Sequence, residues 1–132
     1  MDKLKSYRDL VAWQLSIELI NDLYDLTDNF PPREQYALSQ QLRRAAVSIA
    51  SNLAEGSVRG KAEFIHFINI ARGSLAEVET QLFIARRRNY GDAGKYESFE
   101  AQANRLSRVM MGLLQSLKKP GTKHQAPGTT YG

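Results

Sequence analysis

The sequence predicts an all-α protein, an up-down-up-down antiparallel four-helix bundle with left-handed crossing. Three observations lead there. Apolar residues recur at alternating spacings of three and four through four segments, no segment alternates apolar and polar residues as a strand would, and the breaks between segments are short and carry proline or glycine. Long helices joined by short loops pack as antiparallel neighbours. A sustained 3.5-residue period brings coiled-coil-like, left-handed packing.

The first helix is expected over about 6–27. Leu10, Trp13, Ile17, Ile20, Tyr24 and Thr27 form a seam, and Leu15, Leu19, Leu23 and Leu26 widen it, so this helix is expected to touch more than one neighbour. Ser6 with Asp9 three residues on resembles a capping box. Pro31 and Pro32 end the helix, because neither can continue the hydrogen-bond ladder.

The second helix spans about 33–54, with Leu38, Leu42, Ala45, Ile49 and Leu53 as its apolar line. Ala46, Ala50 and Ala54 make a ridge of small residues that lets another helix come close. Gly56 and Gly60 bracket the next turn. The third helix, about 61–89, carries Phe64, Ile68, Ala71, Leu75, Val78, Leu82 and Ala85, and Gly91 and Gly94 follow it. The fourth, about 95–117, reads Tyr96, Phe99, Ala103, Leu106, Met110, Leu113 and Leu117. Residues 119–132, rich in Gly, Pro, Thr and Lys without periodicity, are expected to be a disordered tail.

Composition narrows the function. The 132 residues are 42% hydrophobic and contain no cysteine, which excludes disulfides, thiolate metal sites and thiol catalysis together. The opening Met1–Lys5 lacks the apolar run of a signal peptide and no stretch is of membrane-spanning length, so a cytoplasmic protein without a membrane partner is expected. The net charge of +4 is uneven: residues 1–29 hold three cations against six carboxylates, leaving +7 for the rest. Such a division suits a nucleic-acid partner or pairing between copies.

Three stretches carry a resemblance. They are Tyr7-Arg8-Asp9-Leu10-Val11-Ala12-Trp13-Gln14, Phe30-Pro31-Pro32-Arg33-Glu34-Gln35-Tyr36-Ala37-Leu38 followed by Gln41–Gly56, and Phe64–Phe67 followed by Ala71–Leu82. Together they cover about residues 7–118, and the second is long and specific. The chain resembles the small four-helix-bundle proteins encoded by intervening sequences within 23S rRNA genes, which are related to the accessory variability proteins of diversity-generating retroelements. The resemblance implies a ring-like homopentamer, an association with RNA or DNA through a basic surface, and, on the retroelement side, a reverse transcriptase as protein partner. Ala37 stands where the family often has Gly, and Ala50 where Pro is common; both favour helix.

No catalytic constellation is legible. Glu63-Phe64-Ile65-His66 has the Glu-x-x-His spacing of di-iron bundles, but such a site needs two of these motifs and a glutamate from each of two further helices. The second histidine, His124, falls in the tail. The same shortage leaves no serine–histidine–acid set, and no glycine-rich phosphate loop occurs. No enzyme activity, metal or cofactor is expected.

Two groups of residues remain. Arg86, Arg87 and Arg88 form the sharpest basic cluster; three consecutive residues turn through about 200° of a helix, so one copy makes no flat patch. In a cyclic oligomer the cluster repeats into a basic ring able to neutralise phosphates. Arg43, Arg44, Arg59 and Lys61 are the further phosphate contacts expected, with Lys118, Lys119 and Lys123 as extensions; Tyr90 beside the cluster has the place of a base-stacking residue, although an aromatic there more often packs the helix end. The second group is a polar stripe on the second helix, Gln41, Arg44, Ser48, Asn52 and Glu55, read as a structural network with Glu77 and Glu79 of the third, to which Arg43 or Arg44 would pair. Helix one's surplus of leucines argues for a homo-oligomer that covers it. The competing function is a structural or adaptor protein that binds another protein and no nucleic acid.

Overall fold

The computed structural model describes residues 5–124 and 126. Four helices carry the fold, α1 Val11–Asp28, α2 Leu38–Ser57, α3 Lys61–Arg87 and α4 Tyr96–Lys118, and no strand occurs among the described residues. Each helix packs on two others: α1 and α3 both touch α2 and α4. The directions alternate. Arg43, early in α2, meets Tyr24–Asp28 at the end of α1, Ser48 of α2 meets Ser74 of α3, and Gln102, early in α4, bonds Asp22, late in α1.

The helix starts differ from expectation for local reasons. Ser6 and Asp9 do form a capping box, but it caps a 3-10 turn, Tyr7–Asp9, and the chain is extended at Leu10 before α1 begins. After the prolines a second 3-10 turn, Pro32–Glu34, takes up the residues expected to open α2, because proline fixes φ and supplies no donor. A third, Ala93–Lys95, precedes α4.

The core line of α1 runs through Ala12, Ser16, Leu19, Leu23, Leu26 and Thr27, one position round from the expected seam; Trp13 and Ile20 flank it and Tyr24 is exposed. The leucines expected to be surplus are therefore spent inside the bundle, because α1 has two neighbours to cover. They supply no argument for an oligomer. Likewise Leu114, in place of the expected Leu113, is buried in α4's last turns together with the expected Leu117.

α2 and α3 lie closest together, and small residues permit it. Ala46 and Ala50 are buried, and a Cβ placed on Gly56 would lie 2.5 Å from Phe67 Cβ. Where the backbones come near, Ser48 and Ser74 share a hydrogen bond of 2.9 Å.

Of the stretch expected to be disordered, Lys119–His124 lies against the bundle. Pro120 and Gly121, the latter at φ +83°, make a tight turn closed by Thr122 N–H donating to Lys119 O at 3.1 Å. The chain then crosses the α2–α3 connection. Lys61 Nζ donates to Thr122 O at 2.9 Å, and the His124 ring sits 4.5 Å from that of Phe64. Gln125 and 127–132 lie outside the described residues. Among the described residues no helix is long and apolar enough to cross a membrane.

Candidate nucleic-acid interface

The topology separates the expected basic residues. α3 has 27 residues, about 40 Å of helix. Arg59 and Lys61 stand where it begins, and Arg86, Arg87 and Arg88 where it ends. Arg43 and Arg44 belong to the second of these ends. No single face of one copy holds all seven.

The arginine triplet closes α3. Asn89, at φ +59°, is the left-handed residue of a Schellman-type stop, with Asn89 N–H donating to Arg86 O and Tyr90 N–H to Ala85 O, both at 3.0 Å. Positive side chains here also complement the helix dipole. Arg86 pairs with Glu100 of α4 at 3.2 Å, and Arg87 lies 5.9 Å from the Phe83 ring centroid. Tyr90 is buried: its ring packs on Phe30 and its hydroxyl donates to Glu34 at 3.0 Å, so it offers no face to a base. Beneath it, Tyr96 hydroxyl donates to Tyr90 O at 2.6 Å, and burial pushes the Tyr96 phenol up to about 12, opposed in part by Arg86.

Arg43 is a structural residue. It is half-buried; Nε donates to Thr27 Oγ1 at 2.7 Å and Nη2 to Asp28 Oδ1 at 2.7 Å and Tyr24 O at 3.3 Å. Its pairing is with α1, not with Glu77 or Glu79. α1 ends without a basic residue in its last turn, and Arg43 serves the carbonyl and dipole there from the neighbouring helix. Arg44 is exposed.

The polar stripe of α2 divides too. Asn52 Nδ2 donates to Ser48 O at 2.8 Å and Ser48 Oγ at 3.0 Å, and Ser48 bridges to Ser74. Glu55 pairs with Arg59, which also reaches Glu63 at 3.4 Å. Gln41, Arg44, Glu77 and Glu79 are exposed and have no side-chain hydrogen bond or ion pair among the described residues. His66 is exposed, with its ring 5.7 Å from that of Phe67.

Charge distinguishes the two ends. At the arginine-triplet end, Arg33, Arg43, Arg44, Arg86, Arg87, Arg88 and Lys95 are equalled in number by Asp22, Asp25, Asp28, Glu34, Asp92, Glu97 and Glu100. At the α2–α3 end, Lys5, Arg8, Arg59, Lys61, Lys118, Lys119 and Lys123 face three carboxylates, Asp9, Glu55 and Glu63, a net +4. Lys5, Arg8, Lys118, Lys119 and Lys123 are exposed, and none pairs with a carboxylate among the described residues. Reading along the chain makes Arg59, Lys61, Lys118, Lys119 and Lys123 extensions of the arginine triplet; the antiparallel topology instead puts them at the opposite end, with Lys5 and Arg8.

An apolar groove of about 470 Å³ lies between α3 and α4, with Leu82, Phe83, Tyr96 and Phe99 on its walls and Arg86, Arg87, Glu79 and Glu100 around it. Phe83 is 63% exposed and the neighbouring Ile84 is exposed as well.

Residues 8–112 match the family described as 23S rRNA-intervening sequence protein. No curated protein matches the chain. Among solved structures the chain is similar to a protein with unknown function from the S23 ribosomal protein family of Bacteroides thetaiotaomicron, at 23% identity over 80% of this chain and 96% of that one, with a TM-score of 0.72. At that identity the likeness concerns the fold.

Proposed function

The chain belongs to the 23S rRNA-intervening sequence protein family, and on that premise we propose that it is a non-enzymatic, homo-oligomeric bundle protein that binds RNA or DNA through a basic surface. The assembly proposed is the pentameric ring that the sequence resemblance implies, working in the cytoplasm. The observation that carries the nucleic-acid reading is the unbalanced +4 at the α2–α3 end. Cations gathered at one end of a bundle attract phosphates, release counterions and read no base. Copies around a ring multiply that charge at constant geometry. The arginine triplet contributes less than its sequence implies, since its own end is neutral and Arg86 already holds Glu100.

The test is fluorescence anisotropy with labelled RNA across salt concentrations, using two charge variants. Replacing Lys118, Lys119 and Lys123 with Glu is expected to abolish most affinity and flatten the salt dependence. Replacing Arg86, Arg87 and Arg88 with Ala is expected to change affinity much less. The reverse ranking places the contact at the arginine end. Absence of salt-sensitive binding by the parent protein at about 50 mM salt defeats the reading.

A second reading is favoured by the α3–α4 groove. Exposed Phe83 and Ile84 beside an apolar cleft fit an adaptor that docks a protein partner, a reverse transcriptase being the class the resemblance implies. Capture of such a partner by the parent and not by Phe83→Asp, with no nucleic-acid affinity, would establish it.

A further inference from the structure

On the face of α1 and α2, well away from the cationic end, one tyrosine stands out from the surface. Tyr36 is 92% exposed, in the turn between Pro32–Glu34 and α2. An aromatic ring so fully in water serves no packing purpose within its own chain.

The segment that carries it is nonetheless fastened. Gln35 Nε2 donates to Thr27 O at 3.2 Å, Ala37 N–H donates to Glu34 O at 3.1 Å, and Glu34 accepts from the Tyr90 hydroxyl. Ordering that backbone on binding therefore adds little entropic cost.

Tyr36 lines a shallow groove of about 440 Å³ with Tyr24, Gln40, Arg43, Arg44 and Val47. Arg43 lies over the Tyr24 ring, 4.6 Å from its centroid, and its charge is answered by Asp28. Arg44 is exposed and without a carboxylate partner among the described residues. The groove thus joins a free aromatic face, a free guanidinium and a side-chain amide within one surface.

We propose that this groove is a stacking platform for single-stranded RNA: Tyr36 stacks on an unpaired base, Arg44 takes the adjoining phosphate, and Gln40 faces the base edge. Bases within a duplex are already stacked and present no face to Tyr36, so the platform discriminates by strandedness and not by sequence. The inference rests on the nucleic-acid reading above and adds the class of RNA that is preferred.

The experiment compares binding of a labelled dodecauridylate with that of a 12-base-pair RNA duplex, with oligomeric mass and melting temperature followed in parallel. Tyr36→Ala is expected to weaken the single strand about tenfold and leave the duplex unchanged, while Tyr36→Trp retains single-strand affinity. Arg44→Ala is expected to weaken both and reduce the salt slope by about one. Photocrosslinking of 4-thiouridine RNA is expected to label the peptide containing Tyr36. If the parent binds both RNAs and Tyr36→Ala binds the single strand equally well, the platform is wrong and the charge reading stands. If Tyr36→Ala instead changes the oligomeric mass, the groove seats another copy of the chain and the platform is likewise overturned. A parent that binds neither RNA overturns both.

Discussion

Arg43 on α2 and Asp28 in the last turn of α1 lie 2.7 Å apart, guanidinium to carboxylate, while the same guanidinium holds Thr27 Oγ1 and the Tyr24 carbonyl. One side chain from α2 thus closes the end of α1. The carboxylate is largely exposed, so the ion pair itself contributes little. The hydrogen bonds to buried Thr27 and to a helix-terminal carbonyl matter more, because a charged donor makes stronger hydrogen bonds than a neutral one and these are sheltered from water, although Thr27 Oγ1 keeps its own donation to Leu23 O when they are lost. Arg43→Ala is expected to destabilise the fold by about 1–3 kcal/mol in urea denaturation, and Arg43→Lys to recover only part of it, since an ammonium has no fork to span three acceptors. Asp28→Asn is expected to cost under about 1 kcal/mol.

Much of the architecture was legible because helix period and breaker residues are local signals. The four helices, their order and the cores of α2 and α3 followed from the spacing of Leu42, Ile49 and Leu53 and of Phe64, Ile68 and Leu75. The seam of α1 was misplaced by one position because both candidate stripes are apolar, and only the presence of α2 and α4 on its two sides decides between them. The site was less legible for the same kind of reason. Arg43 and Arg44 are adjacent in sequence, yet one clamps α1 and the other faces solvent, which depends on where the neighbouring helix lies. The cation-rich end draws on the N-terminal segment, α3's first residue and the tail, and a proline–glycine turn at 120–121 brings the last of these back.

Gly56 supplies the closest approach between α2 and α3. Alanine is the better helix former by about 1 kcal/mol, but at Gly56 its methyl would meet Phe67 Cβ, which belongs to a backbone-fixed part of α3. Overpacking is expected to win, so Gly56→Ala loses about 1–3 kcal/mol. Gly73 has nothing within 4 Å of the same added atom, and Gly73→Ala is expected to gain about 0.5–1 kcal/mol. Opposite signs in parallel thermal melts are the expected result; equal signs would show that α2 and α3 do not meet at Gly56.

The tail contact has its own handle. Gly121 sits at a φ that β-branched residues adopt only with strain. Gly121→Val is expected to detach Thr122 and His124 from the α2–α3 connection, seen as loss of ring-current shift on His124 from Phe64, while the helical circular dichroism stays constant. Retention of the shift would show that His124 docks without the turn.

Phe83 tests what the apolar groove is for. If α3 and α4 offer that groove to a further copy of the chain, Phe83→Asp lowers the mass measured by light scattering without lowering the melting temperature of the separated subunit by more than about 1 kcal/mol equivalent, because so exposed a side chain contributes little to its own fold. A mass equal to the parent's removes Phe83 from the assembly surface and leaves it to a different partner.

Tyr96 fixes the expected behaviour in alkali. Its hydroxyl is buried and donates to Tyr90 O, and its folded-state pKa lies at about 12 against an ordinary value of 10.0. Between those values the unfolded chain has released the proton and the folded chain has kept it. Fewer protons on the unfolded state mean that stability falls as pH rises. The contribution is thus intact below pH 10 and is lost as pH climbs through about 12. The loss is expected to be about 2–3 kcal/mol, the equivalent of about two units, in which the opposing effect of Arg86 is already contained. Urea denaturation of the parent and of Tyr96→Phe from pH 9 to 12 isolates this residue from the other tyrosines. The variant is expected to start lower by about 1 kcal/mol, for the missing hydrogen bond, and to decline less steeply above pH 10. Parallel decline of the two proteins would mean that Tyr96 ionises in the folded state as readily as in the unfolded one, and that the hydrogen bond to Tyr90 does not hold its proton.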